Sequence, residues 1–476
     1  MIRNKKKIAY KIINYLKDEN SLSVTLTGSY SEHFNLNKAG DIDIVIVCKK
    51  LNKSYFKKII SKIKILRKKF FNKKNKLIIN STFGPIKFYE KNSIVFHLMI
   101  YDLKSHIEHT IRSPFTCFDW ERSKIYKGKS LRELSPVYNL QLRDFSEARR
   151  SVNDYIHDIS NNKISYREYV FKNKKIKLVK RYFKIDELNK RDFIYHIIKF
   201  LLINFIKYEK RINSKINDIE IERKFFKISK NLNELNTFKK LKIFKDRKSK
   251  ETIKNSKKFV LSFVKKFDQY IKKKNESKKI YFCRHKQTRL NNGIFLGQKL
   301  NPNIIKKNNK KEFKNIKFNK CYSSPTIRCI ETAKINSKKN NIIVNRLLNE
   351  IDYGDAEGLN FNNFKKKFPN IIEKWKQGLD PKFPNGESTS EVHNRLKKFI
   401  ISELRTVKKN KNNNIIIYTH NVLLRCLIGS CFNIQKKEWF KIYIKHFDLY
   451  EFNFEKNRLS NNINRNKYLT IFKNFY

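Results

Sequence analysis

Histidine and arginine side chains in the C-terminal part have the types and spacing that phosphoryl transfer requires. Arg284 and His285 follow an apolar run directly, and Arg328, Glu350 and His420 come after them in the chain. An imidazole beside two guanidinium groups, with a second imidazole and a carboxyl group nearby, can take a phosphoryl group onto nitrogen and release it to water. Guanidinium groups offer planar forks of donors that lysine cannot reproduce. The set predicts a phosphate site with His285 as the nucleophile.

Short apolar runs must form the strands that position these side chains. The runs 280–283 and 415–418 predict strands that alternate with helical stretches, as in a parallel sheet covered on both faces. Open α/β sheets place their ligands beyond the carboxyl ends of the strands, where His285 and His420 would emerge. His420 also precedes an apolar helix that begins near Val422, and the amino terminus of a helix favours anions. We expect nearby arginines to lower the pKa of His285 and keep it neutral.

Several segments resemble, in order, the motifs of the histidine phosphatase superfamily, the phosphoglycerate-mutase-like proteins. Residues 284–288 (Arg-His-Lys-Gln-Thr) are similar to the family's Arg-His-Gly-x-Thr, and residues 323–333 match its Ser-Ser-Pro-x-x-Arg-x-x-Glu-Thr-Ala. Residues 348–358 are similar to the segment that carries the general acid, and 386–388 (Gly-Glu-Ser) match a further triplet. The resemblance covers about 280–450.

The resemblance implies phosphomonoester hydrolysis through a phosphohistidine, on a small phosphorylated metabolite and without a metal ion. The implied roles are phosphohistidine formation at His285, phosphoryl-oxygen binding by Arg284, Arg328 and His420, protonation of the leaving alkoxide by Glu350, and substrate phosphate binding by Thr288 and Asn291. Such a division of labour fits phosphoryl transfer, which needs positioning and charge stabilisation together with a proton donor. The compact segment is closer to the phosphatase branch of the family than to the mutase branch.

The sequence departs from the family pattern at two glycine positions. Lys286 follows the nucleophile and Asn421 follows the second histidine, where the family carries glycine. Asparagine tolerates unusual backbone angles, whereas Lys286 brings bulk and charge into a tight loop, so its effect on turnover is open. Glu357 is an alternative acid. His446, an isolated histidine, is expected to be a structural or surface residue.

Two carboxylates in the N-terminal part lie two residues apart on a predicted strand. Asp41 and Asp43 would share one face of that strand because side chains alternate along it. Such a pair can hold Mg²⁺ through oxygen ligands, while the preceding turn, Gly28-Ser29, lets backbone donors approach a triphosphate. A structural turn followed by an ordinary strand is the less favoured explanation, because it would bury Asp43 unpaired.

This pattern resembles the polymerase-beta-like nucleotidyltransferases, whose signature is Gly-Ser, an interval of about ten residues and Asp-x-Asp. The resemblance implies nucleoside triphosphate binding at Gly28 and Ser29 and Mg²⁺ binding at Asp41 and Asp43. The family usually adds a third carboxylate on a later strand, here 94–102, whose central polar residue is His97. His97 could be a base or a metal ligand, or the domain could bind nucleotide without transferring it.

We expect a multidomain α/β protein with four segments. They are a nucleotidyltransferase-like α+β domain at 1–110, a mainly helical accessory domain at 111–240, a lysine-rich and partly helical linker at 241–279 and a three-layer α/β histidine phosphatase domain at 280–476. The helical segment would close over the second substrate of the transferase. Specificity loops, including the lysine-rich insertion 301–320, do not identify the substrate, and the oligomeric state is also open.

Composition argues against several classes of protein. The net charge of +65 is dispersed along the chain, so we expect a basic surface rather than a dedicated nucleic-acid site. The odd set of 7 scattered cysteines lacks zinc spacing and predicts reduced thiols, and the charged N-terminus does not resemble a signal peptide. The apolar helix at 193–208 is interrupted by polar residues and falls short of a membrane span. We expect a cytoplasmic protein without membrane contact.

Three functions follow from these patterns. The favoured one is a phosphatase fused to a nucleotidyltransferase-like domain, with both acting on one metabolite. The second is an active nucleotidyltransferase whose phosphatase domain is degenerate because of Lys286. The third is a basic RNA-binding protein that uses both folds as scaffolds, although no aromatic RNA-recognition motif is present.

Overall fold

The chain has a mixed-sheet N-terminal part, a largely helical middle and an α/β C-terminal part. The computed structural model describes residues 2–34, 41–71, 76–84, 93–135, 140–172, 175–212, 214–247, 249–274, 278–305, 313, 316–336, 342–405, 414–455, 458–463, 467 and 470–475. These form two compact units. Met1–Leu140 and Asp144–Tyr270 make up the first, and Gln141–Arg143 with Ile271–Phe475 make up the second. The multidomain α/β architecture agrees with the sequence-based expectation.

The first unit begins with a five-stranded mixed sheet of order β3-β4-β2-β1-β5. Its elements are α1 (Ile2–Leu16), β1 (Ser21–Thr27), α2 (Gly28–His33), β2 (Ile42–Cys48), α3 (Lys53–Phe70), β3 (Lys76–Asn80), β4 (Ser93–Asp102), α4 (Leu103–Arg112), α5 (Pro114–Glu121), β5 (Tyr126–Gly128) and α6 (Leu131–Leu134). β2 is parallel to β4 and antiparallel to β1. Ile44 and Ile46 pack with α1 and α3 on one face of the sheet, and Val45 and Val47 pack with α5 and α6 on the other.

The middle of the chain contains long helices and an antiparallel hairpin. Its elements are α7 (Leu142–Ser160), β6 (Lys163–Lys172), β7 (Lys175–Lys184), α8 (Glu187–Lys210), α9 (Asp218–Ser229), α10 (Leu232–Asp246) and α11 (Ser256–Lys274). The hairpin lies within the stretch predicted to be mainly helical. Its strands are rich in tyrosine, phenylalanine and β-branched residues, which favour extended backbone. Tyr169 packs against the first sheet and donates a hydrogen bond to the Ile100 carbonyl at 3.0 Å.

The stretch predicted as a linker, 241–279, includes the end of α10 and the whole of α11. Phe263 and Phe267 of α11 are fully buried, and the Phe263 ring stacks on Phe225 with centroids 4.6 Å apart. The lysines therefore belong to an amphipathic helix whose apolar stripe packs in the first unit.

The second unit is built on a six-stranded sheet of order β10-β9-β11-β8-β12-β13. Its elements are β8 (Lys278–Arg284), β9 (Lys320–Ser323), α12 (Ile327–Asn336), β10 (Ile342–Val344), α13 (Phe361–Lys367), α14 (Pro369–Lys376), α15 (Thr389–Phe399), β11 (Asn414–Thr419), α16 (Asn421–Cys431), β12 (Leu449–Glu455) and β13 (Arg458–Asn461). The strands β10, β9, β11 and β8 are parallel, whereas β12 and β13 extend the sheet in antiparallel fashion.

Helices cover both faces of this second sheet. Ala333 of α12 packs with Cys321 on one face, and Phe399 of α15 meets Tyr322 on the other face with ring centroids 5.3 Å apart. The predicted insertion 301–320 is described only in part, since 306–312 and 314–315 lie outside the described residues. Among the described helices, none has the length and apolar character needed to cross a membrane.

Candidate active site

Two adjacent parallel strands bring the predicted histidines together. Arg284, the last residue of β8, is paired with Thr419, the last residue of β11. His285 and His420 therefore leave the same edge of the sheet side by side, and their ring centroids are 5.2 Å apart. The backbone N–H of His285 donates to the Thr419 carbonyl at 3.0 Å, which fixes the two chain ends relative to each other.

The hydrogen bonding of His285 fixes its tautomer. Nδ1 lies 2.6 Å from the carbonyl oxygen of Lys286. Because a carbonyl can only accept, Nδ1 carries the proton and Nε2 keeps its lone pair. Burial, followed by repulsion from Arg284 and Arg328, holds the pKa of His285 well below its ordinary value. This lowered pKa favours a neutral ring whose Nε2 lone pair is available.

The two predicted arginines are fixed by backbone carbonyls, and Arg328 is fully buried whereas Arg284 is half-buried. Arg328 donates from Nη1 to the Leu300 carbonyl at 3.0 Å and from Nη2 to the Gly297 carbonyl at 2.6 Å. Arg284 donates from Nη1 to the Ile444 carbonyl at 2.8 Å. The Nε of each arginine is buried and has no hydrogen-bond partner within the described part of the chain. Burial lowers the pKa of both, that of Arg284 to about 10, so these cations favour an anion beside them.

Glu350 is held at the amino terminus of α16. Its carboxyl oxygens accept the backbone N–H groups of Ile351 and Asn421 at 3.0 Å and of Val422 at 3.1 Å. Burial nevertheless raises the pKa of Glu350, and outweighs these hydrogen bonds and the attraction of Arg328 and Arg284. The carboxyl group thus keeps its proton to a higher pH than an exposed glutamate, as a general acid should.

His420 is oriented by a chain of hydrogen bonds whose direction is set at its far end. The Glu350 backbone carbonyl accepts from Gln298 Nε2 at 2.8 Å, and Gln298 Oε1 accepts from Asn349 Nδ2 at 3.1 Å. Asn349 Oδ1 then accepts from the Ser324 hydroxyl at 3.0 Å. The Ser324 oxygen, 2.9 Å from His420 Nε2, is left to accept the Nε2 proton. Burial and the charge of Arg328 also hold the pKa of His420 well below its ordinary value.

The segment before β12 supplies contacts that sequence reasoning missed. His446 Nδ1 donates to the His285 carbonyl at 2.9 Å, and the two rings meet edge to face with centroids 5.2 Å apart. Burial and the charge of Arg284 lower the pKa of His446 to about 4. The hydrogen bond to a backbone carbonyl suits the structural role expected of His446, and the ring contact places it beside the predicted nucleophile. The sequence did not predict these contacts, because they depend on the antiparallel pairing of β12 with β8, a long-range register that no local pattern reveals.

Arg425 is a third arginine near this site, and it is half-buried. It lies one turn after Asn421 on α16, and its Nε donates to the Ile442 carbonyl at 2.9 Å. Burial lowers its pKa, while Tyr353 and Glu350 act in the opposite direction. Its position in the apolar helix gave no motif from which to predict this placement.

Neither replaced glycine strains the backbone. Among the described residues, Lys286 and Asn421 are absent from those with positive φ. The Lys286 ammonium lies over the Phe447 ring, 5.1 Å from its centroid, and its backbone N–H donates to Thr332 Oγ1 at 2.9 Å. The Asn421 backbone N–H binds Glu350. Both positions therefore tolerate a side chain in this fold.

Glu357, the alternative acid, binds the backbone of a neighbouring loop. Its carboxylate accepts backbone N–H groups from all the residues of the loop 297–300, at distances from 2.6 to 3.2 Å. This loop supplies the carbonyls that hold Arg328, so Glu357 is a positioning residue.

Thr288 and Asn291 bind each other, since Asn291 Oδ1 accepts both the backbone N–H and the hydroxyl of Thr288 at 2.8 and 3.0 Å. Their predicted phosphate contact stays a prediction.

A second polar cluster lies at the N-terminal sheet. Asp43 on β2 stands opposite His97 on β4, and Asp41 precedes β2. The ligand atoms of these three residues lie within 4.8 Å of one another. Burial lowers the pKa of His97, but the hydrogen bond and charge of Asp43 outweigh it, so the pKa is raised overall. Asp102, by contrast, caps α4 through the Ser105 N–H at 2.7 Å.

Gly28 and Ser29 begin α2 beside this cluster, and both are exposed. Gly28 has φ +68°, and a Cβ there would lie 2.0 Å from Asp43 Oδ2. Only glycine allows the chain to pass so close to this carboxylate. The donor set of two carboxylates and one imidazole fits a divalent cation.

Comparisons with known proteins identify the C-terminal part. Residues 280–464 match the family model "Histidine phosphatase superfamily (branch 1)". The chain is 34% identical over 135 residues to 6-phosphofructo-2-kinase 1 of Saccharomyces cerevisiae, and the match covers 27% of this chain and 16% of the yeast protein. It is 30% identical over 121 residues to the 2,3-bisphosphoglycerate-dependent phosphoglycerate mutase of Parvibaculum lavamentivorans, and this match covers 24% of this chain and 57% of the mutase. The chain thus spans a small part of the yeast protein and little more than half of the mutase.

Solved structures were also compared. YhfR of Bacillus stearothermophilus matches at 18% identity and a TM-score of 0.35, with 40% of this chain and 96% of that one covered. The mycobacterial glucosyl-3-phosphoglycerate phosphatase Rv2419c matches at 17% identity and a TM-score of 0.33, with 39% of this chain and 98% of that one covered. None of these comparisons identifies the N-terminal part. Residues 280–464 therefore belong to branch 1 of the histidine phosphatase superfamily.

Proposed function

We propose that the C-terminal domain hydrolyses phosphomonoesters through a phosphohistidine at Nε2 of His285. The observation that carries this proposal is the hydrogen bond from His285 Nδ1 to the Lys286 carbonyl, 2.6 Å long. It places the proton on Nδ1 and directs a neutral Nε2 lone pair toward the substrate side of the ring. Arg284 and Arg328 stabilise the transferring phosphoryl group, and Glu350 supplies a proton.

The reaction proceeds in two transfers. His285 Nε2 attacks phosphorus, the N–P bond forms as the P–O bond to the leaving group breaks, and the Glu350 carboxyl group gives its proton to the departing alkoxide. The alcohol then leaves. The Glu350 carboxylate next takes a proton from water, whose oxygen attacks phosphorus and breaks the N–P bond. Inorganic phosphate is released, and Glu350 is protonated again for the next cycle.

The substrate class is a small phosphorylated metabolite. A mutase is among the relatives, so transfer of the phosphoryl group to a second substrate hydroxyl is the competing outcome. We propose water as the acceptor. Product analysis decides, because hydrolysis yields one inorganic phosphate per alcohol formed, whereas transfer yields an isomeric phosphate ester without free phosphate.

The phosphatase assignment is tested by comparing His285→Ala with the parent chain on a generic aryl phosphate. Loss of the nucleophile removes the covalent route, so the rate should fall by several orders of magnitude. His393→Ala is the matched control, since His393 lies on α15 and contacts Trp439, outside the phosphate site. Equal rates for the parent and His285→Ala would rule out the assignment.

A second function is proposed for the N-terminal domain, namely metal-dependent nucleotidyl transfer. The cluster of Asp41, Asp43 and His97 favours it, because its ligand atoms converge within 4.8 Å. Asp41 and Asp43 would hold the divalent cation, Mg²⁺ by the family resemblance, and Gly28 and Ser29 would bind the nucleotide phosphates. A bound cation would neutralise charge on a nucleoside triphosphate. Pyrophosphate release from nucleoside triphosphates by the full chain, abolished in Asp41→Asn, is the expected result. An unchanged rate in that variant would contradict it.

The covalent linkage suggests that the two activities act on one metabolite, which is dephosphorylated by one domain and nucleotidylated by the other. Active-site variants of the full chain, His285→Ala and Asp41→Asn, allow each activity to be assayed alone on a panel of phosphorylated metabolites and the corresponding alcohols. Overlapping preferences are expected, and disjoint preferences would contradict the coupling.

A further inference from the structure

We propose that His97 makes the Asp41–Asp43 cluster a site that binds Mn²⁺ in preference to Mg²⁺. This inference deepens the proposed metal-dependent function of the N-terminal domain, on which it rests. The resemblance predicts a magnesium site formed by carboxylates. The residues actually brought together include an imidazole nitrogen, and that changes which cation fits.

The donor set is assembled by backbone register. β2 and β4 run parallel, and Asp43 lies directly opposite His97. His97 Nδ1 is 2.9 Å from Asp43 Oδ1, and an oxygen of Asp41 completes a set of ligand atoms within 4.8 Å. All three side chains are partly buried. A cation at this point would receive two carboxylate ligands and one nitrogen ligand from the protein.

The tautomer of His97 is suited to metal ligation. Its Nε2 lies 2.9 Å from the carbonyl oxygen of Thr82, which can only accept a hydrogen bond. Nε2 therefore donates to Thr82, and Nδ1 donates to Asp43 when no cation lies between them. A bound cation takes the place of the Nδ1 proton, and the Nδ1 lone pair then faces the cation while Nε2 keeps its hydrogen bond to Thr82. Metal-binding histidines commonly donate their second ring N–H to a carbonyl or carboxylate, which fixes the ring and raises ligand basicity. Thr82 gives His97 that support.

The Gly28 backbone packs closely against one ligand of the cluster. A Cβ at Gly28 would lie 2.0 Å from Asp43 Oδ2 and 2.9 Å from its Cγ. Any larger residue at this position would therefore displace the Asp43 carboxylate, so the glycine is tied to the geometry of the site.

Cation preference follows from ligand chemistry. Mg²⁺ strongly prefers oxygen ligands in a near-octahedral arrangement and dehydrates reluctantly, so an imidazole among its few protein ligands is unfavourable. Imidazole nitrogen suits transition-series cations, and Mn²⁺ is the member of that series that shares the carboxylate and water ligands of Mg²⁺. We expect Mn²⁺ to bind at least about tenfold more tightly than Mg²⁺.

The decisive variant is His97→Asp, which restores a third carboxylate in place of the imidazole. Mn²⁺ binding to the full chain is measured by the loss of the free-ion electron paramagnetic resonance signal, and Mg²⁺ binding by competition. The parent should favour Mn²⁺ by about tenfold or more, and His97→Asp should reduce that ratio several-fold. Pulsed spectra of the bound Mn²⁺ should show nitrogen coupling in the parent that disappears in His97→Asp. His33→Ala, which removes an exposed histidine of α2, is the control and should match the parent.

The outcomes separate this inference from the function on which it rests. Binding of Mg²⁺ as tightly as Mn²⁺, or an unchanged ratio and nitrogen coupling in His97→Asp, would overturn the role of His97 while leaving a carboxylate metal site in place. Absence of binding by either cation in the parent would overturn both the inference and the proposed nucleotidyl transfer.

Discussion

Glu350→Gln should slow hydrolysis of alkyl phosphates far more than hydrolysis of aryl phosphates. An alkoxide needs a proton to leave, whereas a nitrophenolate departs without one. Glu350 is buried at 4% exposure, and burial raises its pKa, which favours the protonated form that the proposed acid needs. Glutamine keeps the shape of the side chain but has no proton to give.

The size of the effect follows from the role of the group. Loss of a positioned general acid typically lowers the rate about 10²- to 10⁴-fold, which corresponds to about 3 to 5 kcal/mol in the activation free energy. Glutamine also turns an NH₂ group toward backbone donors that now bind Glu350, such as the Asn421 and Val422 N–H groups. That mismatch costs about 1–3 kcal/mol of stability, but it affects both substrates alike. The ratio of the rate loss for the alkyl phosphate to that for the aryl phosphate therefore measures proton donation alone.

The assay compares kcat/KM for an alkyl phosphate and for p-nitrophenyl phosphate in the parent and the variant. Glu357→Gln is the matched control, because Glu357 also accepts several backbone N–H groups but serves the loop that holds Arg328. It should lower both rates by the same factor. Equal losses for both substrates in Glu350→Gln would refute the assignment of Glu350 as the acid.

Three further outcomes are expected. First, kcat/KM for an alkyl phosphate should fall as pH rises through the raised pKa of Glu350, because the proton donor is lost. At the acidic end, kcat/KM should not fall near pH 6 through protonation of His285, because burial and the arginines hold the pKa of His285 well below its ordinary value. A loss of activity near pH 6 that persists with substrates of different pKa would contradict this prediction. Second, Arg328→Lys should lower kcat/KM about 10²- to 10³-fold and reduce the free energy of unfolding by about 1–3 kcal/mol, because the Gly297 and Leu300 carbonyls lose their donors. Kinetics and denaturant unfolding measure the two effects, with the exposed Arg346→Lys as the control. Kinetics equal to those of the parent would contradict this prediction. Third, Lys286→Gly should change the rate by no more than about threefold, because the Lys286 backbone is unstrained and its ammonium lies over the Phe447 ring. A rise in the rate of tenfold or more would show that the lysine impairs turnover.

Local patterns predicted the parts of the fold that depend on short apolar runs. The run 415–418 became the core of β11, and 280–283 became that of β8, because β-branched and aromatic residues favour buried strands. Parallel neighbours end at one edge of a sheet, so His285 and His420 could be placed together from sequence alone.

Long-range packing explains what the sequence did not reveal. His446 reaches His285 only because β12 pairs antiparallel with β8. The hairpin of β6 and β7 was hidden by charged residues that interrupt its apolar pattern. The segment 241–279 was expected to be a partly helical linker, and its lysines did not reveal that the Phe263 stripe of α11 is fully buried against Phe225. That packing depends on a residue far away in the chain, where composition gives no signal.

The most direct test of the central claim is capture of the phosphorylated enzyme. The full chain is mixed with an aryl phosphate, quenched within milliseconds under alkaline conditions that preserve phosphohistidine, and analysed by mass spectrometry of its peptides. We predict one phosphoryl group on His285, absent from His285→Ala, with fragments and standards that assign it to Nε2. A parent enzyme that turns over substrate without ever carrying phosphate on His285, or that carries it on another residue, would contradict the account.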